Sequence, residues 1–177
     1  MKKDLNNFTI WITGLSASGK TTLGSSLKKK LVEYGLNNVV FLDGDILRDK
    51  LKNYEYDENS REIVGNLKAK ISKEENKKGN IVIVTGIASK KMWREEYRKI
   101  IDNYYEVYLK CSLETCAARD YKNQYSKAFL GKINNFSGVS DSYEEHKNVD
   151  LILDTDKYKE EECMVKLFNF TKKIIKN

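Results

Sequence analysis

The chain has 177 residues, of which 32 are Lys or Arg and 26 are Asp or Glu, for a net charge of +6 with 40% hydrophobic content. This composition suits one globular domain over residues 1–177 and excludes a disordered chain. No apolar run approaches the ~20 residues of a membrane span, and the opening "MKKDLNNFTI" lacks the apolar stretch of a secretory signal.

Five runs rich in β-branched or aromatic residues predict strands at 8–13, 38–43, 80–85, 105–110 and 150–155. Several are apolar nearly throughout, which suits parallel strands covered on both faces. Helical spacing lies between them. Leu23, Leu27 and Leu31 mark a helix over 21–34, and Ile63, Leu67 and Ile71 mark the core face of another over 58–77. Trp93, Tyr97, Ile100 and Ile101 mark a third over 90–104, and Cys163, Leu167, Phe170 and Ile174 mark the tail. Alternating strands and helices predict an α/β fold, with a parallel five-stranded sheet flanked by helices. The polar region 121–148, with Gly131 and Gly138, reads as a mobile lid over the site.

Cys111, Cys116 and Cys163 have no metal-ligand spacing, which predicts reduced, partly buried thiols and a cytoplasmic location. The lysines are scattered along the chain rather than gathered in a stripe. They read as a solvated surface, some of it facing a phosphate site, with no nucleic acid and no membrane as partner.

The stretch "GLSASGKTTL" fits G-x-x-x-x-G-K-[ST] in full, with Gly14, Ser16, Ala17, Ser18, Gly19, Lys20, Thr21 and Thr22 as donor-binding residues. Its glycines let backbone N–H groups turn inward onto phosphate oxygens, and the helix that follows adds its positive end. Lys20 is expected at the β- and γ-phosphates and the Thr21 hydroxyl at Mg²⁺. The donor is a nucleoside triphosphate, ATP or GTP. The guanine-reading N-K-x-D is missing after any strand, and the chain is short for a motor, so a small-molecule kinase is favoured.

"FLDGDILR" puts Asp43, Asp45 and Arg48 at the carboxyl end of the second strand, where open α/β sheets bind ligands. Asp45 is the candidate base, or a partner of the metal. A helix N-cap is the alternative reading for this acidic pair. Tyr54, Tyr56 and Arg61 in "YEYDENSREI" could stack on a base and hold an anion, or belong to the core. His146, the single histidine, reads as an exposed residue rather than a catalytic one.

Together "GLSASGKTTL", "FLDGDILR", "LKCSLETCAARD", "GKINNFSGVSDSYE" and "LILDT" resemble the adenylylsulfate kinase family, over about residues 9–155. The resemblance implies a P-loop kinase that uses MgATP to phosphorylate the 3′-hydroxyl of a nucleotide with a sulfated 5′-phosphate. It implies Asp45 at the 3′-hydroxyl, with Asp43, Arg48 and Arg61 holding the acceptor. Tyr56 and Phe136 would sandwich the acceptor base, Arg119 and Thr155 would flank the donor base, and Lys127 would belong to the lid. Family members often form homodimers.

The chain departs from the family where the acceptor binds. The family asparagine in "ENIRR" is Val64 here, followed by Gly65, Asn66 and Leu67. The family "ISPYR" is "IASKK", with Ile87, Ala88, Ser89 and Lys91. Loss of the amide removes a hydrogen bond to substrate, and Arg to Lys removes a bidentate fork. An intact donor side with a changed acceptor side resembles the branch that phosphorylates cytidine diphosphoramidate in capsule biosynthesis. An adenylylsulfate kinase with altered loops, and a nucleotide-binding regulator without chemistry, stand as the other readings.

Overall fold

The computed structural model describes residues 7–52, 57–144, 146 and 148–176. Five strands, β1 (Thr9–Gly14), β2 (Val39–Asp43), β3 (Ile81–Thr85), β4 (Tyr104–Lys110) and β5 (Leu151–Asp154), form one sheet of order β2-β3-β1-β4-β5. Every neighbouring pair is parallel. Helices α1 (Lys20–Glu33), α2 (Gly44–Leu51), α3 (Glu58–Lys77), α4 (Lys91–Ile100), α5 (Leu113–Arg119), α6 (Gln124–Phe129) and α7 (Glu160–Lys176) connect and follow the strands. The α/β fold with a parallel five-stranded sheet is as expected. Among the described residues, no helix is long and apolar enough to cross a membrane.

Strand side chains alternate between two cores, as the period of two requires. Ile10 and Ile12 of β1, with Ile81 and Ile83 of β3, pack against Leu23, Leu27 and Leu31 of α1 and Met164 and Leu167 of α7. Trp11 between them points the other way, onto Ala69 of α3 and Trp93 and Tyr97 of α4. Trp11 stacks on Tyr97 at 4.4 Å. Covering both faces explains why the strands read as continuous apolar runs.

Three expectations are corrected. The third helix ends at Ile100, because Tyr104 already begins β4, paired with Thr9. The predicted stripe on α3 does not face the core: Ile63 is 52% exposed and Leu67 and Ile71 are half-buried. The buried face of α3 carries Ser60, Arg61, Val64, Gly65, Lys68, Ala69 and Ser72, a largely polar set. His146 is buried, not exposed, with its ring stacked on Tyr108 at 4.2 Å.

The α3–α4 contact depends on a missing side chain. A Cβ at Gly65 would stand 1.9 Å from the Tyr97 hydroxyl and 2.7 Å from its Cζ. Glycine in mid-helix weakens the helix itself, so close approach is the reason it is tolerated. Gly65→Val is expected to destabilise the protein by about 1–3 kcal/mol through overpacking, measured by urea unfolding. Wild-type stability would show that the Tyr97 ring has room to move.

Candidate active site

The turn between β1 and α1 is built for close approach to a ligand. A Cβ at Gly14 would stand 2.8 Å from the Leu109 carbonyl oxygen and from Ser18 Oγ. Gly19, the N-cap of α1, has φ 96°, a left-handed conformation that glycine adopts without strain. Ala17 also sits at positive φ (57°). Ser18 Oγ is buried without a hydrogen-bond partner among the described residues. A curled backbone, an orphaned hydroxyl and a helix N-terminus together fit phosphate oxygens.

Lys20 folds back so that Nζ donates to the Leu15 carbonyl at 2.5 Å. Burial pulls its pKa from 10.5 to about 8, and the Asp45 and Asp43 carboxylates offset part of that shift. The cation is therefore held at a cost that a polyanion would relieve.

Asp43 closes the end of β2. Its Oδ2 accepts from Thr21 Oγ1 at 2.8 Å and from Thr85 Oγ1 at 2.7 Å. Its Oδ1 accepts from the N–H groups of Asp45 at 3.0 Å and Ile46 at 3.4 Å, which caps α2. Burial pushes this carboxyl up, yet the hydrogen bonds from Thr85, Thr21, Ile46 and Asp45 outweigh it and hold the pKa below the usual carboxylate value. The N-cap reading applies to Asp43, which in addition accepts from the cradle threonine. Asp45 lies at the first turn of α2 with its side chain 69% exposed, and its Oδ2 is 3.8 Å from Lys122. Asp43, rather than Asp45, touches the Thr21 hydroxyl. Oxygen donors of this kind, a hydroxyl beside carboxylates, fit a hard cation such as Mg²⁺ that keeps substrate phosphates among its ligands.

The segment predicted as a lid packs across this end of the sheet. Tyr125 of α6 donates to the Ser16 carbonyl at 3.0 Å, and Ser16 Oγ lies 3.5 Å from Gln124 Oε1. Arg61 of α3 reaches into the segment, bonding Asp141 at 3.0 Å, Ser137 at 2.5 Å and the Asn135 carbonyl. Phe136 meets Tyr125 edge-on at 4.8 Å. A cavity of about 540 Å³ opens between Leu15 and Leu113 on one side and residues 138–143 on the other.

The remaining predicted residues divide. Arg48 is buried and donates to Ser60 at 3.3 Å. Arg119 bonds the Thr155 carbonyl at 2.7 Å, so these two are brought together beside the cradle, and Thr22 sits exposed one residue beyond Thr21 in α1. Ile87 is half-buried after β3. Lys91 lies outside, 3.4 Å from Glu95, and Lys127 is exposed on α6, so neither ammonium joins the cluster around Asp43. Tyr54 and Tyr56 lie outside the described residues.

Sequence reasoning missed three features. Thr85 completes the shell of Asp43. Lys68 is buried among the residues at the ends of β2 and β3. His146 bonds Glu106 at 2.6 Å through Nδ1 and Tyr143 at 3.0 Å through Nε2. Only the buried pattern of α3 and the lone Glu106 in an apolar strand carried any signal of them. All three cysteines are free and buried, as expected.

A parallel sheet with G-x-x-x-x-G-K-T between β1 and α1, and an ionised carboxylate at the end of β2 bonded to that threonine, defines a P-loop nucleotide kinase. The chain belongs to the adenylylsulphate kinase family, whose family model matches residues 6–154. It is 41% identical to a probable adenylyl-sulfate kinase of Archaeoglobus fulgidus, over 85% of this chain and 97% of that one. It is 40% identical to the cytidine diphosphoramidate kinase of Campylobacter jejuni, over 84% of this chain and 86% of that one. The structure matches the Mycobacterium tuberculosis APS kinase in complex with AMPPNP and APS with a TM-score of 0.86 at 30% identity, covering 94% and 98% of the two chains. The protein is a phosphotransferase with a nucleotide donor and a hydroxyl acceptor.

A lysine whose pKa falls from 10.5 to about 8 on folding costs stability below pH 8, and the cost is relieved as pH rises towards 10.5. Lys20→Met is therefore expected to melt no lower than wild type at pH 7 without ligand. Any gain should shrink above pH 8, and the thermal shift produced by ATP should vanish. A variant that melts lower and still shifts with ATP would remove Lys20 from the donor site.

Proposed function

We propose that the protein transfers the γ-phosphoryl group of ATP or GTP to the 3′-hydroxyl of a 5′-modified nucleotide. The observation that carries this reading is the meeting of two sets of groups at the carboxyl ends of β1, β2 and β3. The cradle and Lys20 lie on one side, and Asp43, Asp45, Arg48 and Arg61 lie on the other.

The cradle N–H groups, Ser18 and Lys20 bind and orient the triphosphate, and Arg119 with Thr155 forms a shelf for the donor base. Thr21, with Asp43 and Asp45 beside it, would hold Mg²⁺, which supplies charge neutralisation between the β- and γ-phosphates. Asp45 takes the proton of the 3′-hydroxyl as the new oxygen–phosphorus bond forms and the bridging bond to the donor breaks. Its exposed carboxylate on the first turn of α2 can reach an acceptor that lies between α2, α3 and the segment 121–148. Arg48, Arg61, Ile87 and Phe136 form the acceptor surface, which Lys91 and Lys127 would join only by moving towards it. Residues 121–148 close over the bound pair.

For the acceptor, cytidine diphosphoramidate is the reading we favour. The family amide that contacts the acceptor is replaced here by Val64, a buried side chain without a polar atom. The 40% identity to the Campylobacter jejuni kinase supports the same choice. The similarly close Archaeoglobus fulgidus relative supports adenylylsulfate as the second reading.

Purified protein with MgATP or MgGTP is expected to phosphorylate cytidine diphosphoramidate and to leave adenylylsulfate largely unused. The reverse preference would overturn the acceptor assignment and keep the kinase. Asp45→Asn should bind donor normally and lose ~10²-fold or more in kcat. Full activity of that variant would remove the base role from Asp45.

A further inference from the structure

Lys68 is a buried cation with no carboxylate partner among the described residues. It lies on α3 at 4% exposure, with Nζ donating to the Thr85 carbonyl at 3.2 Å and lying 5.0 Å from the centre of the Trp11 ring. Among the described residues, no Asp or Glu oxygen comes within 4.0 Å of it. An ammonium has three donors, and one neutral carbonyl with an aromatic face does not balance a full buried charge. Burial draws its pKa down to about 8, and the Arg48 guanidinium adds to the shift while Asp43 opposes it.

The backbone around this ammonium is kept bare. A Cβ at Gly86, just after β3, would stand 2.1 Å from Lys68 Nζ, and one at Gly44, just after β2, would stand 3.4 Å away. The two strand ends leave the space that the charged group fills. Arg61, Val64 and Lys68 lie on one buried face of α3, three and four residues apart. The helix face that lacks a polar group at Val64 therefore carries a cation one turn further on. This face packs on the Trp11 side of the sheet, opposite the Ile10 and Ile12 side that α1 covers.

We infer that Lys68 is a specificity-determining residue that binds an anionic group of the acceptor's 5′-substituent, a role resting on the kinase reading above. The bound anion supplies the close counter-charge that no described carboxylate provides within 4.0 Å. A purely structural lysine in this place would be replaced without loss by an apolar side chain of its length.

Lys68→Met separates the two roles. Removing an unpaired buried charge should leave the ligand-free melting temperature unchanged or higher. Loss of a charge-assisted hydrogen bond should raise the acceptor KM roughly 10- to 100-fold, with the donor KM within about twofold. Gly86→Ala keeps the charge and pushes the flexible end of Lys68 aside, and it should raise the acceptor KM in the same direction. A wild-type acceptor KM in Lys68→Met, or a loss shared equally by donor and acceptor, would overturn the inference while leaving the kinase reading standing. Wild-type protein that turns over neither cytidine diphosphoramidate nor adenylylsulfate would overturn the kinase acceptor reading itself, and this inference with it.

Discussion

The Asp43 carboxylate is the point on which the site turns. Four donors converge on its two oxygens, from Thr21, Thr85, Asp45 and Ile46. They belong to the first turn of α1, the last residue of β3 and the first turn of α2. One ionised group thus ties the start of α1 to the start of α2 across the ends of β2 and β3. A carboxylate accepts about this many hydrogen bonds, so it is fully satisfied and rigid. Its folded pKa lies below the ordinary value, so its contribution to stability is present above the ordinary carboxylate pKa and is lost as pH falls through the folded one.

A second buried carboxylate holds the other side of the sheet. Glu106 of β4 is 2% exposed and faces Arg94 at 3.6 Å, Arg98 at 3.5 Å and His146 at 2.6 Å. Such a cluster positions its members more than it adds net stability. His146 passes the order on to Tyr143, whose hydroxyl lies 3.5 Å from Thr13 Oγ1 just before the cradle. The loop after β3 hangs on the same framework by its backbone. Ala88 N–H donates to Thr13, Ala88 carbonyl accepts from Arg94, Ser89 carbonyl accepts from Glu144 N–H, and Lys91 N–H donates to the Glu144 carboxylate. None of these bonds uses a side chain of residues 87–91. The loop can therefore change its side chains, as "IASKK" has done, and keep its path.

What the sequence revealed and what it hid follow from the range of each interaction. Strands β1 and β3 were legible because apolar runs mean cover on both faces. The cradle was legible because its residues are contiguous and its geometry is local. The face of α3 was misread because periodicity equates apolar with buried, whereas Arg61, Lys68 and Ser72 turn inward and Ile63 turns out. His146 was misread because its partner Glu106 is 40 residues away and only the fold brings them together. Asp43 and Asp45 could not be told apart, since two residues separate them and only the start of α2 decides which one meets Thr21.

Burial lowers the pKa of Lys20 and of Lys68 although Asp43 and Asp45 lie nearby, a cost that a polyanion binding the folded state would offset. Arg61 and Asp45 are meanwhile paired with the segment over the cradle, Arg61 with Asp141 and Asp45 with Lys122. On the function proposed above, a substrate engaging these residues would exchange one set of ion pairs for another. The two exchanges differ in cost. Asp45 and Lys122 are both largely exposed, at 69% and 49%, so their pair is nearly free to break. Arg61 and Asp141 are at 8% and 23% and the guanidinium also bonds Ser137, so parting this pair costs more than parting an exposed one. Any movement of the segment away from the cradle is therefore easiest at its Lys122 end.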